Sequence, residues 1–148
     1  TFIPKLSSIF GILLIFLFIL LGIIFDMIGV AVTASDEAPF HSMSARKVKG
    51  ANIAVMLKKN ADKVGSFCND VIGDICGVVS GSAGAIIASS FAQTLHVSPF
   101  LMSLLVTGMI AALTIGGKAI GKSLAINQCN MILYEVAKLI SYFYHPKK

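Results

Sequence analysis

The sequence predicts an all-α membrane protein with three transmembrane helices and a C-terminal juxtamembrane amphipathic helix. Of its 148 residues, 56% are apolar and only 13% are charged, and the mean hydropathy is +0.87. A typical soluble domain is about 45–50% apolar and about 25% charged, so this chain lacks the polar residues to cover a water-facing surface. A length of 148 residues indicates a single domain, residues 1–148. Because one membrane crossing takes about 20 residues, this length allows at most roughly four crossings joined by short loops.

The first two predicted spans are apolar runs interrupted by few charges. The first covers residues about 10–34 and contains one charged residue, Asp26. It is longer than the apolar core of a signal peptide, and no Ala-x-Ala cleavage pattern follows it. The second span covers residues about 70–92 and begins among Asp70 and Asp74.

The third predicted span covers residues about 98–118 and ends at Lys118. Ser98 followed by Pro99 favours a helix start, since Ser can cap free backbone amides and Pro suits the first helical position.

The basic residues predict the orientation of the spans. The turn at 93–98 has no Lys or Arg, whereas the loop at 45–63 has one acidic residue, Asp62, and six basic ones: Arg46, Lys47, Lys49, Lys58, Lys59 and Lys63. By the positive-inside rule, the loop is cytoplasmic and the N-terminus lies outside. The C-terminal segment, with Lys122, Lys138, Lys147 and Lys148, is then also cytoplasmic. We therefore expect an inner-membrane protein whose partner is the lipid bilayer and not nucleic acid.

The last segment, residues about 123–144, combines apolar residues with a polar stripe. The polar side chains recur at three- and four-residue steps: Asn127, Asn130, Tyr134, Lys138 and Ser141. Such spacing gives a helix one polar face. We expect this helix to lie in the inner membrane interface, and a fourth crossing is the alternative.

Small residues mark one face of the second span, where Gly73, Gly77 and Gly81 repeat at four-residue spacing. Small residues let membrane helices approach closely. The stripe therefore predicts tight packing, either within one protomer or in a homodimer. A backbone-lined ion path would need the same small residues.

Ionisable groups at membrane depth are the main chemical signal. Each costs roughly 2.5–3.5 kcal/mol on insertion scales, so Asp26, Asp70, Asp74 and Lys118 are expected to be paired or to line a wet cavity. The alternative is that Asp70 lies near water and that Lys118 extends to the interface.

The remaining sequence motifs favour neither an enzyme nor a zinc site. The three cysteines are odd in number and lack C-x-x-C spacing, so we interpret them as small buried hydrophobes. The sequence lacks nucleotide-binding, hydrolase and metalloprotease motifs.

Four segments, in order, resemble a known family. Ser35-Asp-Glu-Ala-Pro-Phe-His-Ser42 resembles the S-x-S-E-T-A-L-x-S stretch of CNNM/CorC magnesium transporters, and Lys118-Ala-Ile-Gly-Lys-Ser-Leu-Ala125 resembles their G-E-I-x-P-K-S-L-A. Residues 57–64 are similar to the family's L-L-E-N-P-E-R-L linker, and residues 72–74 to its I-G-N. The resemblance covers residues about 30–126.

This resemblance implies a homodimeric three-span module with its N-terminus outside and a juxtamembrane helix. Family members usually carry cytoplasmic CBS domains that bind nucleotide. We expect these to be absent here or to have been removed, which makes a cytoplasmic regulatory domain or subunit a further partner.

The resemblance also implies a magnesium path at particular positions. Asp36 takes the place of a family serine, Glu37 that of the glutamate, and Asp74 that of the asparagine. Gly117 takes the place of the glycine, and Lys118 replaces the family's glutamate. Oxygen ligands suit Mg²⁺, but Lys118 places an ammonium where the ion would lie.

We therefore expect a transporter of Mg²⁺ or another divalent cation. Asp74 and Asp36 are the expected metal ligands, with Ser35, Glu37, Gly73 and Gly117 beside them, and Lys118 and Asp70 are charge partners in the site. The alternative is a non-transporting scaffold or regulatory module whose site is closed by a Lys118–Asp74 pair. No nucleophile–base pair favours an enzyme.

Overall fold

The computed structural model describes the backbone of residues 2–144 and the side chains of residues 7–144. Lys147 and Lys148 lie outside this range. The described part is helical, without strands, and its helices are α1 (Phe2–Ala34), α2 (Ala38–Ala45), α3 (Ala51–Lys59), α4 (Ala61–Ser66), α5 (Gly73–Leu95), α6 (Pro99–Asn127) and α7 (Cys129–Phe143). A π-helical segment, Phe67–Ile72, joins α4 to α5 without a break.

Three stretches of the described chain are long and apolar enough to cross a membrane: Ser7–Ala34, Ala61–Leu95 and Pro99–Asn127. These are the three candidate spans that the sequence predicts, but each helix is longer than the predicted apolar run. Hydropathy marks only the part suited to a hydrocarbon core of about 30 Å. The helix through Ala61–Leu95 has 35 residues and is about 52 Å long at 1.5 Å per residue, so its polar end extends beyond that core.

The three long helices pack against one another as a bundle. Ile15 and Ile19 from α1 meet Ile87 from α5 and Ile110 from α6 to form its apolar centre. Branched aliphatic side chains fill the space between helices closely, which favours association where lipid offers no hydrophobic driving force.

The short helices form a second unit at the end of the bundle, which we call the collar (α2, α3 and α7). Its core contains Val32 at the end of α1, Phe40 from α2, Ile53 from α3, and Leu133 and Ala137 from α7. The collar thus joins the loop between the first two spans to the C-terminal helix. The sequence pattern of residues 38–59 does not predict α2 and α3.

The contact between α3 and α7 requires a glycine at the start of α3. Gly50 has φ +84°, and a Cβ placed on it would lie 3.1 Å from the Cα of Lys138. A side chain there would be strained and would press against the α7 backbone. Beside this contact, the Lys49 ammonium lies 4.2 Å from the centroid of the Tyr142 ring, a cation–π geometry.

The C-terminal helix differs from its prediction in length and in facing. It begins at Cys129, because residues 123–127 continue α6. With 15 residues it is too short for a fourth crossing. Part of the polar stripe faces the protein, since Ser141 is buried and Asn130 is bonded to the chain after α1, whereas the outward residues include Met131, Leu139, Tyr142 and Phe143.

Two local predictions can be checked at the helix ends and the cysteines. α6 begins at Pro99 as predicted, but Ser98 makes no side-chain capping bond. Cys68 and Cys76 are buried free thiols, which confirms their interpretation as small hydrophobes, and Cys129 is free and partly buried.

Candidate ion site between the three spans

The register of α1 against α5 places Asp26 level with Gly73. Gly22 contacts Cys76, and Gly29 contacts Cys68 near the start of the π-helical segment. Because the two helices run antiparallel, Asp26, which lies midway between the two glycines, is level with the junction of the π-helical segment and α5. Asp26 is partly buried there.

Lys118 reaches the same level from α6. Its Nζ lies 3.2 Å from the position that a Cβ would occupy on Gly73, so the absence of a side chain at Gly73 leaves room for the ammonium. Gly117, one residue earlier, packs directly on Ile23 of α1. The structure therefore places the Lys118 ammonium against Gly73, with Gly117 one residue before Lys118 and Asp26 at the same level of α1.

The predicted Lys118–Asp74 ion pair is not formed in this structure. Asp74 is exposed, and each helical step rotates the side chain by about 100°, so it leaves the face on which buried Gly73 meets Lys118. Asp70 is also exposed and does not pair with Lys118. Among the described residues, the only acid–base pair within 4.0 Å joins Glu37 and His41, at 2.8 Å on the surface.

Ser35, Asp36 and Glu37 lie at a different depth, immediately after α1. The Ser35 hydroxyl is buried and donates to the Val32 carbonyl at 3.0 Å. The Asp36 amide donates to Asn130 Oδ1 at 3.0 Å, which ties this turn to α7.

These three residues are therefore far from the level of Lys118. Ser35 follows Ile23, the residue that contacts Gly117, by 12 positions, or about 18 Å along the helix. Mg²⁺ takes its ligands at about 2.0–2.1 Å, so one ion cannot contact both sets. In the described part of the chain, no three His, Cys, Asp or Glu residues converge on a metal position.

A polar cavity that the sequence analysis missed lies between the end of α1 and the segment from α4 to the π helix. It has a volume of about 300 Å³ and is lined by Gly65 and five polar residues: Thr33, Asp62, Ser66, Asn69 and Asp70. On the second helix these polar residues recur every three or four positions, a pattern visible in the sequence. The lining residues on the second helix lie about one to three turns before Gly73, on the collar side.

Asn69 links this cavity to the helix interface. Its Oδ1 atom is buried against Gly29 and accepts no hydrogen bond from the described residues. A buried unpaired amide oxygen costs about 1–3 kcal/mol. Asn69 lies within the π-helical segment, and π-helical segments are frequent at functional sites.

Lys58 caps the C-terminal end of α1, a role that the sequence pattern does not indicate. Lys58 Nζ donates to the carbonyls of Val32, at 3.2 Å, and Thr33, at 2.9 Å. These carbonyls belong to the last turn of the helix, which lacks intrahelical donors. The bonds fix α3 to the end of the first span.

The predicted glycine stripe is only partly used within the chain. Gly73 is buried against Lys118, but no described residue comes within 4 Å of a Cβ placed on Gly77 or Gly81. Those two glycines face outward from the bundle. Close helix packing at α5 instead uses Gly84, which contacts Ile110 and Val106 of α6.

Comparisons with protein-family models, with curated proteins and with solved structures find no match to this chain. The family resemblance of its motifs therefore stays a prediction from the sequence.

Proposed function

We propose that the protein transports a divalent cation, Mg²⁺ in the first place, across the inner cell membrane as a homodimer. The observation that carries the proposal is the position of Lys118, whose ammonium lies over Gly73 and level with Asp26. Ionisable groups from two spans, α1 and α6, thus lie at one depth beside a glycine of α5. At membrane depth such groups are expensive and typically mark ion or proton pathways.

In this proposal Lys118 acts as a tethered cation that a divalent ion displaces. Displacement leaves the carboxylate of Asp26 and the backbone oxygens near Gly73 and Gly117 as ligands. Asp74, which is exposed in this structure, has to turn inward to join them. Mg²⁺ normally keeps several waters and binds one or two carboxylates, so this small set suffices. The ammonium is charged and mobile on its four-carbon stem, which lets it move aside.

The polar cavity gives the ion a route from the collar side. Asp62 and Asp70 supply negative charge, and the Ser66 hydroxyl supplies an oxygen atom, in a volume of about 300 Å³ that can hold a hydrated ion. Asp36 and Glu37 lie nearer the bundle end and assist there.

The basic collar sets the proposed orientation. Six basic residues in 45–63 place this end in the cytoplasm by the positive-inside rule, with the N-terminus outside. α7 then lies at the cytoplasmic membrane interface, with its exposed apolar face towards lipid.

A second candidate function is a non-transporting scaffold or regulatory module. The same Lys118 favours it, because a fixed ammonium over Gly73 can replace the ion permanently. The two functions differ in whether the wild-type protein binds a divalent ion.

Melting of the purified protein in detergent, across titrations of Mg²⁺, Ca²⁺, Mn²⁺ and Na⁺, tests the proposal. Wild type and Asp74→Ala are compared with Lys118→Glu, and Lys122→Glu is the matched charge control. A transporter should gain stability saturably, by about 2.7 kcal/mol at a hundred times the dissociation constant, and Asp74→Ala should lose this gain.

The same variants in liposomes, with Mg²⁺ uptake as the readout, separate transport from binding. If only Lys118→Glu responds to the ion, the scaffold function is correct. If neither wild type nor Lys118→Glu responds to any divalent ion, both the transport proposal and the position of its site are wrong.

A further inference from the structure

Exposed cations and aromatic rings meet where the turn between α2 and α3 packs on the C-terminal end of α7. Two contacts join these segments. The Lys49 ammonium lies 4.2 Å from the centroid of the Tyr142 ring, and Gly50 packs on the backbone of Lys138. Because Lys138 and Tyr142 are four residues apart, they share one face of α7. The fold thus brings cations from two distant segments to one surface.

We call this surface the cationic patch (Arg46, Lys47, Lys49, Lys138, Tyr142 and Phe143). Its four cations are exposed, and none forms an ion pair with a described residue. Its rings are also exposed, Tyr142 at 69% and Phe143 at 88%. No acidic residue occurs between Glu37 and Asp62, and the acid of α7, Glu135, lies seven positions before Tyr142, or about two turns. The patch therefore presents unbalanced positive charge beside aromatic rings.

The helix that carries the rings lies at the level of the first span. Val136 and Leu139 of α7 line an apolar groove together with Ile24 and Ile28 of α1. Those α1 residues belong to a helix long and apolar enough to cross a membrane. Tyr142 follows Leu139 by less than one turn. The patch therefore lies beside the end of a membrane span, where headgroups and aromatic rings meet.

We infer that the cationic patch binds the headgroups of anionic phospholipids. Charge complementarity selects an anionic over a zwitterionic lipid, because each Lys or Arg near an anionic lipid surface strengthens binding by about fivefold. A soluble acidic partner would match the charges, but it leaves unexplained why an 88% exposed Phe143 lies beside a span. The inference shares only the interfacial position of α7 with the proposed function and does not depend on ion transport.

Quenching of a single tryptophan by brominated lipids tests the inference, because the chain has no Trp of its own. Phe143→Trp places the reporter in the patch. Phe100→Trp is the matched control, since Phe100 is 74% exposed at the opposite end of the bundle, where residues 93–98 have no Lys or Arg. Each variant is reconstituted in vesicles of equal phosphatidylglycerol and phosphatidylcholine, with bromine on the acyl chains of one lipid at a time.

Brominated phosphatidylglycerol should quench Phe143→Trp more than brominated phosphatidylcholine does, with a local enrichment of at least about fivefold. Both lipids should quench Phe100→Trp equally. High salt should abolish the preference at Phe143→Trp, since the Debye length falls to about 3 Å at 1 M.

Charge variants in the Phe143→Trp background identify the cations responsible. Arg46→Gln with Lys49→Gln should lower the enrichment by about fivefold or more. Lys59→Gln with Lys63→Gln removes the same charge from exposed positions outside the patch and should leave the enrichment unchanged.

Three results would overturn the inference. Equal quenching of Phe143→Trp by the two lipids removes the selectivity for anionic headgroups. Absence of quenching by either lipid places the patch in water, where a soluble partner covers it. A preference that survives both high salt and the Arg46 and Lys49 double variant belongs to other residues. Should that double variant fail to fold, the salt titration still decides, and Mg²⁺ uptake by wild type is independent of all three results.

Discussion

At the scale of single residues, the Lys58 side chain stabilises the fold in addition to contributing a positive charge to the loop. Its ammonium donates to the Val32 and Thr33 carbonyls, which end the first span without helical partners. The negative end of a helix dipole favours a cation at this position. One of the six basic residues of the loop is therefore part of the fold.

We predict that Lys58→Met destabilises the protein by about 1.5–3 kcal/mol, because two charge-assisted hydrogen bonds are lost. Thermal unfolding in detergent measures the change. Lys59→Met is the matched control, since Lys59 is exposed, and it should change stability by no more than about 0.5 kcal/mol. Equal effects in the two variants would show that the Lys58 cap contributes nothing.

Glycine substitutions separate a glycine that the fold requires from one that it does not. Gly50→Ala should destabilise by at least about 1–2 kcal/mol, because φ is +84° and the added Cβ meets the Lys138 backbone. Gly77→Ala adds a methyl group in open space on a helix and should be neutral or stabilising by up to about 1 kcal/mol. Unfolding midpoints measure both.

A large loss for Gly77→Ala would instead show that this face is buried in an assembly. The oligomeric state of the variant, measured in the same detergent, identifies that case.

At the scale of elements, the collar explains how the loop after the first span acquires a fixed structure. α2 and α3 are too short to be stable alone. They form because Phe40 and Ile53 bury their side chains against Leu133 and Ala137 of α7. The C-terminal helix is thus a structural partner of this loop.

We predict that Leu133→Ala loosens the collar while leaving the bundle intact. Leu133 is fully buried, so the cavity should cost about 2–5 kcal/mol. Hydrogen exchange should rise in α2, α3 and α7 and stay low in the spans around Ile15 and Ile87. Leu139→Ala, at an exposed position of the same helix, is the control.

A rise in exchange spread evenly over all helices would contradict this division into collar and bundle.

At the scale of the whole molecule, the alternating direction of the three long helices fixes which segments share an end of the bundle. The end of α1, the whole collar and the end of α6 lie together, and the turn at 96–98 lies at the opposite end. The charge pattern predicts that the collar end is cytoplasmic.

Cysteine labelling of intact cells tests this orientation. In a Cys129→Ser background, whose remaining thiols at Cys68 and Cys76 are buried, Ser98→Cys should react with a membrane-impermeant maleimide from outside. Arg46→Cys should react only after the membrane is permeabilised. The reverse pattern would invert the topology and place the polar cavity on the outer side.

The number of spans and the start of α6 could be predicted because they depend on local sequence. Transfer of an apolar run into lipid is favourable wherever that run folds, and Pro99 suits a first helical position in any context. The ends of the spans could not be predicted as well, since a polar helix end such as Ala61–Ser66 continues beyond the apolar run.

The sequence by itself determined an all-helical protein with three helices long and apolar enough to span a membrane, a basic loop and few charges within the apolar runs. Only the tertiary structure decided that Lys118 lies over Gly73 rather than against Asp74, that Asp26 lies at their level, and that Asn130 binds the Asp36 amide 94 residues away. Such contacts depend on the register and rotation of one helix against another. Side-chain packing between distant segments sets these, and a local hydropathy pattern does not contain them.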